Sequence, residues 1–205
     1  MKLVAMSQGV TVYPDRNERR DTLDQRLSAL LSSTGYVPVP VPNSLILATT
    51  VHSSVMDPVT AWMIKVNARA VVLSGGNDIG TCQERDLTER RLLDYAKTNE
   101  LPALGICRGM QMMAVWSGIK LNPVTGHVRT RHCLRGEVSS DVNSFHNLAL
   151  SDCPPNFVVI ARSEDGSIEA IRHTSLPWEG WMWHPEREET FAEHDVRRLK
   201  MLFGE

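Results

Sequence analysis

Apolar residues fall along this chain in two alternating rhythms: short continuous runs, and stripes at helical spacing. The runs Lys2 to Ser7, Ala70 to Leu73 and Leu101 to Ile106 predict strands buried in a sheet. Between them Leu23, Leu27, Leu30 and Leu31 form a stripe at helical spacing, ended by Gly35. Further helices are predicted from about Met56 to Asn67, Asp86 to Lys97 and Arg108 to Trp116. Tyr36 to Val41 alternates with prolines, which suits an edge strand or an extended segment. After Gly126 the pattern changes to short, antiparallel-looking strands. Phe157 to Arg162 and Ser167 to His173 are joined by the hairpin-like turn Glu164-Asp165-Gly166. A closing helix is predicted from about Phe191 to Leu202. Strands alternating with helices predict the α/β class, a parallel sheet covered by helices. With no internal repeat or linker, residues 1–205 read as one domain.

Composition narrows the setting. A chain of 205 residues can bury one sizeable core, and 42% hydrophobic content is ordinary for a globular protein. A formal charge of -2 argues against a nucleic-acid partner. No segment approaches the roughly 18 to 20 continuous apolar residues of a membrane span. Met1 to Gln8 is too short an apolar stretch for a signal peptide. Cys82, Cys107, Cys133 and Cys153 show no CxxC or zinc spacing, so reduced thiols in a cytoplasmic enzyme are expected.

The candidate chemistry centres on Ala103-Leu104-Gly105-Ile106-Cys107-Arg108-Gly109-Met110-Gln111. An apolar run ending in Gly-x-Cys-x-Gly is the cysteine counterpart of the nucleophile elbow, a sharp strand-to-helix turn that presents a reactive side chain. Small flanking residues suit its close approaches, and the N-terminus of the following helix would favour thiolate over thiol. The same pentapeptide equally fits a buried structural cysteine in a strand-turn-helix unit. A second element, Trp181-Met182-Trp183-His184-Pro185-Glu186, supplies an imidazole and a carboxylate two residues apart. In an extended segment they share a face, so Glu186 can orient His184 as a general base for a thiol. Taken alone, the pair also fits a surface histidine beside the acidic residues Glu188 and Glu189. Third, the Val71 strand breaks into Ser74-Gly75-Gly76-Asn77-Asp78, a turn that can aim backbone N–H groups at a ligand. With the amide of Arg108 these could hold an oxyanion.

In this order and at this spacing, the three elements resemble the class I glutamine amidotransferase superfamily, over nearly the whole chain. The Cys-Arg-Gly elbow, Arg85-Asp86 and Val142-Asn143-Ser144-Phe145-His146 resemble its γ-glutamyl hydrolase branch, peptidase C26-like. Only Asp78 to Glu84 separates the Gly-Gly loop from Arg85-Asp86. That compact form most resembles the γ-glutamyl-CDP-amidate hydrolases of capsule phosphoramidate biosynthesis, which release glutamate and leave cytidine diphosphoramidate. The resemblance implies a three-layer, flavodoxin-like α/β domain with a central, mostly parallel sheet. It implies Cys107, His184 and Glu186 as catalytic residues, and Gly76 and Arg108 as oxyanion donors. It further implies Gln111, Asn143, Ser144, Phe145 and His146 as glutamyl contacts. The implied partner is a small γ-glutamyl substrate, with neither nucleic acid nor membrane, and a homodimer is compatible with it. γ-Glutamyl-γ-aminobutyrate, other γ-glutamyl amines, or a glutaminase subunit passing ammonia to a synthase fit the same residues.

Gly126 to Arg135 packs three arginines and two histidines into ten residues. Arginine forks suit a diphosphate, which makes Arg129, Arg131 and Arg135 candidate nucleotide contacts, although a solvated basic loop reads equally well. His127, His132 and Cys133 match no common zinc spacing, so no metal and no organic cofactor are expected. Met110, Met112, Met113 and Trp116 read as core packing. Glu84, Arg85, Asp86 and Glu89 read as a solvated helix start, while the resemblance favours a structural role near the pocket for Arg85-Asp86.

Overall fold

A computed structural model describes residues 2–50 and 56–204; Met1, residues 51–55 and Glu205 lie outside the described residues. The elements in chain order are β1 (Lys2–Met6), β2 (Gly9–Tyr13), β3 (Glu18–Thr22), α1 (Gln25–Ser33), β4 (Tyr36–Pro40), α2 (Pro58–Val66) and β5 (Ala70–Leu73). Next come α3 (Gln83–Thr98), β6 (Ala103–Ile106), α4 (Arg108–Trp116), β7 (Leu121–Pro123), β8 (Val128–Cys133) and β9 (Arg135–Gly136). The chain closes with β10 (Asp141–Phe145), β11 (Leu148–Leu150), β12 (Phe157–Arg162), β13 (Ile168–His173), β14 (Trp178–Trp181) and α5 (Glu193–Leu202).

The main sheet has eight strands in the order β4-β1-β5-β6-β14-β13-β12-β9. β4, β1, β5, β6 and β14 pair in parallel. β13, β12 and β9 continue it antiparallel. This is an α/β fold with a large, mostly parallel central sheet. Every residue of β5 and β6 is buried, which explains why these central strands read as continuous apolar runs rather than alternating ones. β4, with Pro38 and Pro40, forms the sheet edge, where missing N–H donors are tolerated. The β12–β13 hairpin forms across the expected turn.

Two boundaries differ from the sequence reading. Leu23 precedes α1, because the Asp24 carboxylate caps the helix by accepting from the Arg26 N–H at 2.9 Å. α3 begins at Gln83, three residues before the expected Asp86, and buries Arg85 and Glu89. Arg85 and Glu89 are therefore not solvated, while Gln83 stays exposed. The β2–β3 hairpin is an addition that the apolar pattern did not predict. Met110, Met112 and Met113 are fully buried on α4. All four cysteines are free, and among the described residues no helix is long and apolar enough to cross a membrane.

Candidate active site

β5, β6 and β14 are adjacent and parallel, so the loops leaving their carboxyl ends emerge together at one edge of the sheet. Those loops carry Gly75-Gly76, Cys107 and His184. Ligands of open α/β sheets gather at this edge.

Cys107 stands between β6 and α4 with φ 50° and ψ -104°, a conformation unusual for a residue with a side chain. Its N–H donates to the Trp181 carbonyl at 2.7 Å, tying the turn to β14. Close packing makes the flanking glycines necessary. A Cβ on Gly105 would lie 2.5 Å from the Gly109 carbonyl carbon, and one on Gly109 would collide with the Leu73 carbonyl oxygen. Cys107 is 7% exposed, buried at the end of the strand.

His184 and Glu186 do not lie on an extended strand, as the alternation predicted. Pro185 fixes φ at the start of a short 3-10 turn, Pro185–Arg187, and the carboxylate swings beside the ring. His184 Nδ1 and Glu186 Oε1 are 2.7 Å apart. Both side chains are almost fully buried. Burial alone would lower the pKa of His184, but hydrogen bonding and charge interaction with Cys107 and Glu186 outweigh it and raise the pKa to about 9. The imidazolium is thus the favoured form at neutral pH. Asn143 clamps the His184 backbone: its Oδ1 accepts from the His184 N–H at 3.0 Å, and its Nδ2 donates to the His184 carbonyl at 2.8 Å. Gly75 lies so close to the ring that a Cβ there would come within 2.6 Å of His184 Cε1.

The Gly-Gly loop is held from below by charges that the sequence did not mark as buried. Arg85 Nη2 donates to the carbonyls of Ser74 and Gly75 at 2.7 and 2.9 Å, and Nη1 donates to Asn77 Oδ1 at 3.2 Å. Burial pulls the Arg85 pKa below the usual guanidinium value, opposed by the nearby Glu89 carboxylate. Glu89 pairs with Arg85 at 3.0 Å and also with Arg108, whose guanidinium reaches Asp86 and donates to the Asn77 carbonyl at 2.6 Å. The side chain of Arg108 is therefore structural, while its N–H opens α4. Gly76 adopts φ +124°, a backbone conformation that L side chains rarely adopt. A cavity of about 280 Å³ beside His184 is lined by this loop, Thr11, Thr22, Asp24 and Arg187. Ser7 and Arg26 are supporting residues that the sequence reading missed. Only their contacts mark them, such as Arg26 Nε donating to the Glu186 carbonyl at 2.6 Å.

The remaining candidates scatter. Gln111 is buried, with Nε2 donating to the Leu148 carbonyl at 2.9 Å. Ser144 Oγ donates to the His127 carbonyl at 2.7 Å. Phe145 is half-exposed and sets its ring edge-on to His184, with centroids 5.8 Å apart, while Arg187 lies over it. His146 faces away, toward His127 and Glu169. Arg131 pairs with Asp141 and Glu188, and Arg135 with Glu164. Arg129 is exposed and has no ion-pair partner among the described residues.

A strained cysteine at a strand-to-helix turn and a buried histidine on the neighbouring strand's loop thus meet at the carboxyl ends of the parallel strands of this α/β sheet. Residues 43–202 match the family glutamine amidotransferase class-I, and the chain belongs to that family. It is 34% identical over 142 residues to a γ-glutamyl-CDP-amidate hydrolase of Campylobacter jejuni, covering 66% of this chain and 70% of that one. It is 35% identical over 156 residues to one subunit of a glutamine-hydrolysing GMP synthase from Methanothrix thermoacetophila, covering 66% and 81%. Among solved structures it resembles a putative GMP synthase subunit of Thermoplasma acidophilum. The TM-score is 0.70 at 18% identity, over 100% of this chain and 94% of that one, which establishes the fold.

Proposed function

We propose that this protein is a cysteine-dependent hydrolase that cleaves a γ-glutamyl amide and releases glutamate through a γ-glutamyl thioester. The observation that carries the reading is the convergence of Cys107 with the buried His184–Glu186 pair, whose imidazole is poised as imidazolium. The Cys107 thiolate attacks the γ-carbonyl carbon, and the electron pair moves onto oxygen, where the N–H groups of Gly76 and Arg108 receive it. As the tetrahedral intermediate collapses, the C–N bond breaks and His184 gives its proton to the departing nitrogen. Neutral His184 then takes a proton from water, which attacks the thioester. Glutamate leaves, the thiolate is restored and the imidazolium is regenerated. Glu186 stays ionised and holds the ring.

Around this centre, Gln111 keeps its amide oxygen as an acceptor for the glutamyl ammonium, and Phe145 walls the site beside His184. Asn143, with both ends of its amide engaged, acts by positioning His184 rather than by touching substrate. The preferred leaving group is cytidine diphosphoramidate, supported by the similarity to the Campylobacter jejuni hydrolase. Among the described residues, Arg129 is the arginine of its segment without an ion pair, which leaves its guanidinium for a diphosphate.

A second reading is supported by the similarity to the GMP synthase subunits: a glutaminase that hands ammonia to a synthase partner. A glutamate-release assay on the isolated chain separates the two. The test offers γ-glutamyl-CDP-amidate, γ-glutamyl-γ-aminobutyrate, another γ-glutamyl amine and glutamine. A free-standing hydrolase turns over its amide unaided and prefers the nucleotide-linked substrate. Weak activity confined to glutamine would instead support the ammonia-passing role.

A further inference from the structure

Outside the Cys107 centre, four side chains that the proposed reaction does not use meet in the protein interior. His127 precedes β8, His132 lies on β8, His146 follows β10 and Glu169 lies on β13. One ligand-capable atom from each lies within 4.8 Å of the other three. His127, His146 and Glu169 are 2%, 3% and 1% exposed, so their polar atoms are shut off from bulk solvent.

The hydrogen bonds fix which nitrogens face inward. His127 Nε2 stands 2.8 Å from Asp165 Oδ2, and a carboxylate oxygen only accepts, so this nitrogen carries the proton. His146 Nδ1 stands 3.1 Å from the Leu148 carbonyl, so it too is the donor. In the neutral rings, the lone pairs of His127 Nδ1 and His146 Nε2 then confront each other at 3.2 Å with no proton between them. Glu169 Oε1 adds a third acceptor, 3.3 Å from His146 Nε2 and 3.5 Å from His127 Nδ1, with no hydrogen bond of its own among the described residues. His132 Nε2 is likewise buried without a partner there. Converging lone pairs and an orphaned carboxylate oxygen in a buried pocket repel one another unless a cation or a donor lies among them.

We propose that His127, His132, His146 and Glu169 bind one zinc ion. With Zn–N distances of about 2.0–2.1 Å, the edges of a tetrahedron are about 3.3–3.4 Å long, close to the three observed separations of 3.2, 3.3 and 3.5 Å. Three imidazoles with one carboxylate suit zinc better than the all-oxygen sites of magnesium or calcium. Asp165 and the Leu148 carbonyl supply the outer hydrogen bonds that ligating histidines ordinarily make. Four protein ligands close the site, so the ion is structural. It staples the β8–β10 ribbon to β13. Asn143 of that ribbon clamps His184, and the Glu169 carbonyl accepts from the Met182 N–H at 2.8 Å.

The test uses the full chain. The metal content of the purified protein is measured, the protein is stripped with a chelator, and zinc(II) is titrated back while binding and Tm are followed. Cobalt(II) is loaded in parallel as a spectroscopic probe. The proposal expects about one equivalent of zinc, a rise in Tm on reloading, and the intense visible bands of tetrahedral cobalt. It also expects Asp165→Asn, a surface change in the outer hydrogen bonds, to weaken zinc binding about 10- to 100-fold. Absence of bound metal in the purified protein, together with no zinc binding by the stripped wild type and no tetrahedral cobalt spectrum, would overturn the proposal. The cluster would then hold only a shared proton.

Discussion

Two buried polar clusters support the loops that meet at Cys107 and His184, and they are built on opposite plans. Arg85, Arg108, Glu89 and Asp86 bring two positive and two negative charges together, and each is paired with another. Their spare donors go to the carbonyls of Ser74, Gly75 and Asn77, so the cluster is closed and fixes the Gly-Gly loop. His127, His132, His146 and Glu169 present converging acceptors and leave two atoms without partners among the described residues. A buried ionic cluster persists when its members satisfy each other; one that does not points to something that completes it. The first cluster is a brace, and the second is a socket.

The comparison can be broken at either end. The largest effect is expected from Arg85→Met, which leaves Glu89 short of a charge partner and frees the loop carbonyls. We expect a loss of about 3–5 kcal/mol in denaturant unfolding. Next comes Gly75→Ala, which drives a methyl into the His184 ring from the braced loop. Glutamate release should fall about 100-fold through kcat with the unfolding midpoint little changed, since a displacement near 1 Å at a reacting group has about that effect. A smaller effect concerns pH. Cys107 and Glu186 raise His184 to about 9, so kcat/KM should decline as pH rises through that value and the imidazolium loses its proton. Glu186→Gln removes one of the raising influences, so the decline should move to lower pH. The smallest change belongs to the socket. In metal-free protein, Glu169→Gln replaces an orphaned acceptor with an amide that can donate to the facing histidines. Its stability should stay within about 1 kcal/mol of wild type or rise.

What was legible in the chain follows from where each signal resides. The elbow, the Gly-Gly turn and His184-Pro185-Glu186 are contiguous strings, and their neighbouring strands are short apolar runs, so the fold class could be read directly and these residues singled out as candidates. The β2–β3 hairpin was missed because Glu18-Arg19-Arg20-Asp21-Thr22 is polar throughout and shows no alternation. Glu89 read as part of a solvated helix start because charges are usually exposed; the partners that bury it include Ser7 on the loop after β1 and Arg108 on α4. The histidine cluster draws on four places separated by 5, 14 and 23 positions (127 to 132, 132 to 146, 146 to 169), a spacing that belongs to no short zinc motif. Its carboxylate arrives only when β13 packs beside the ribbon.

The central claim is that Cys107 forms the covalent bond to the glutamyl group. The most direct measurement is intact-mass and peptide-mapping mass spectrometry after treatment with a cysteine-reactive diazoketone analogue of glutamine. Residual glutamate release is followed in parallel. The account predicts one adduct, on Cys107, accumulating in step with loss of activity and absent from Cys107→Ala. Modification of another residue while activity is lost, or wild-type glutamate release by Cys107→Ala, would contradict it.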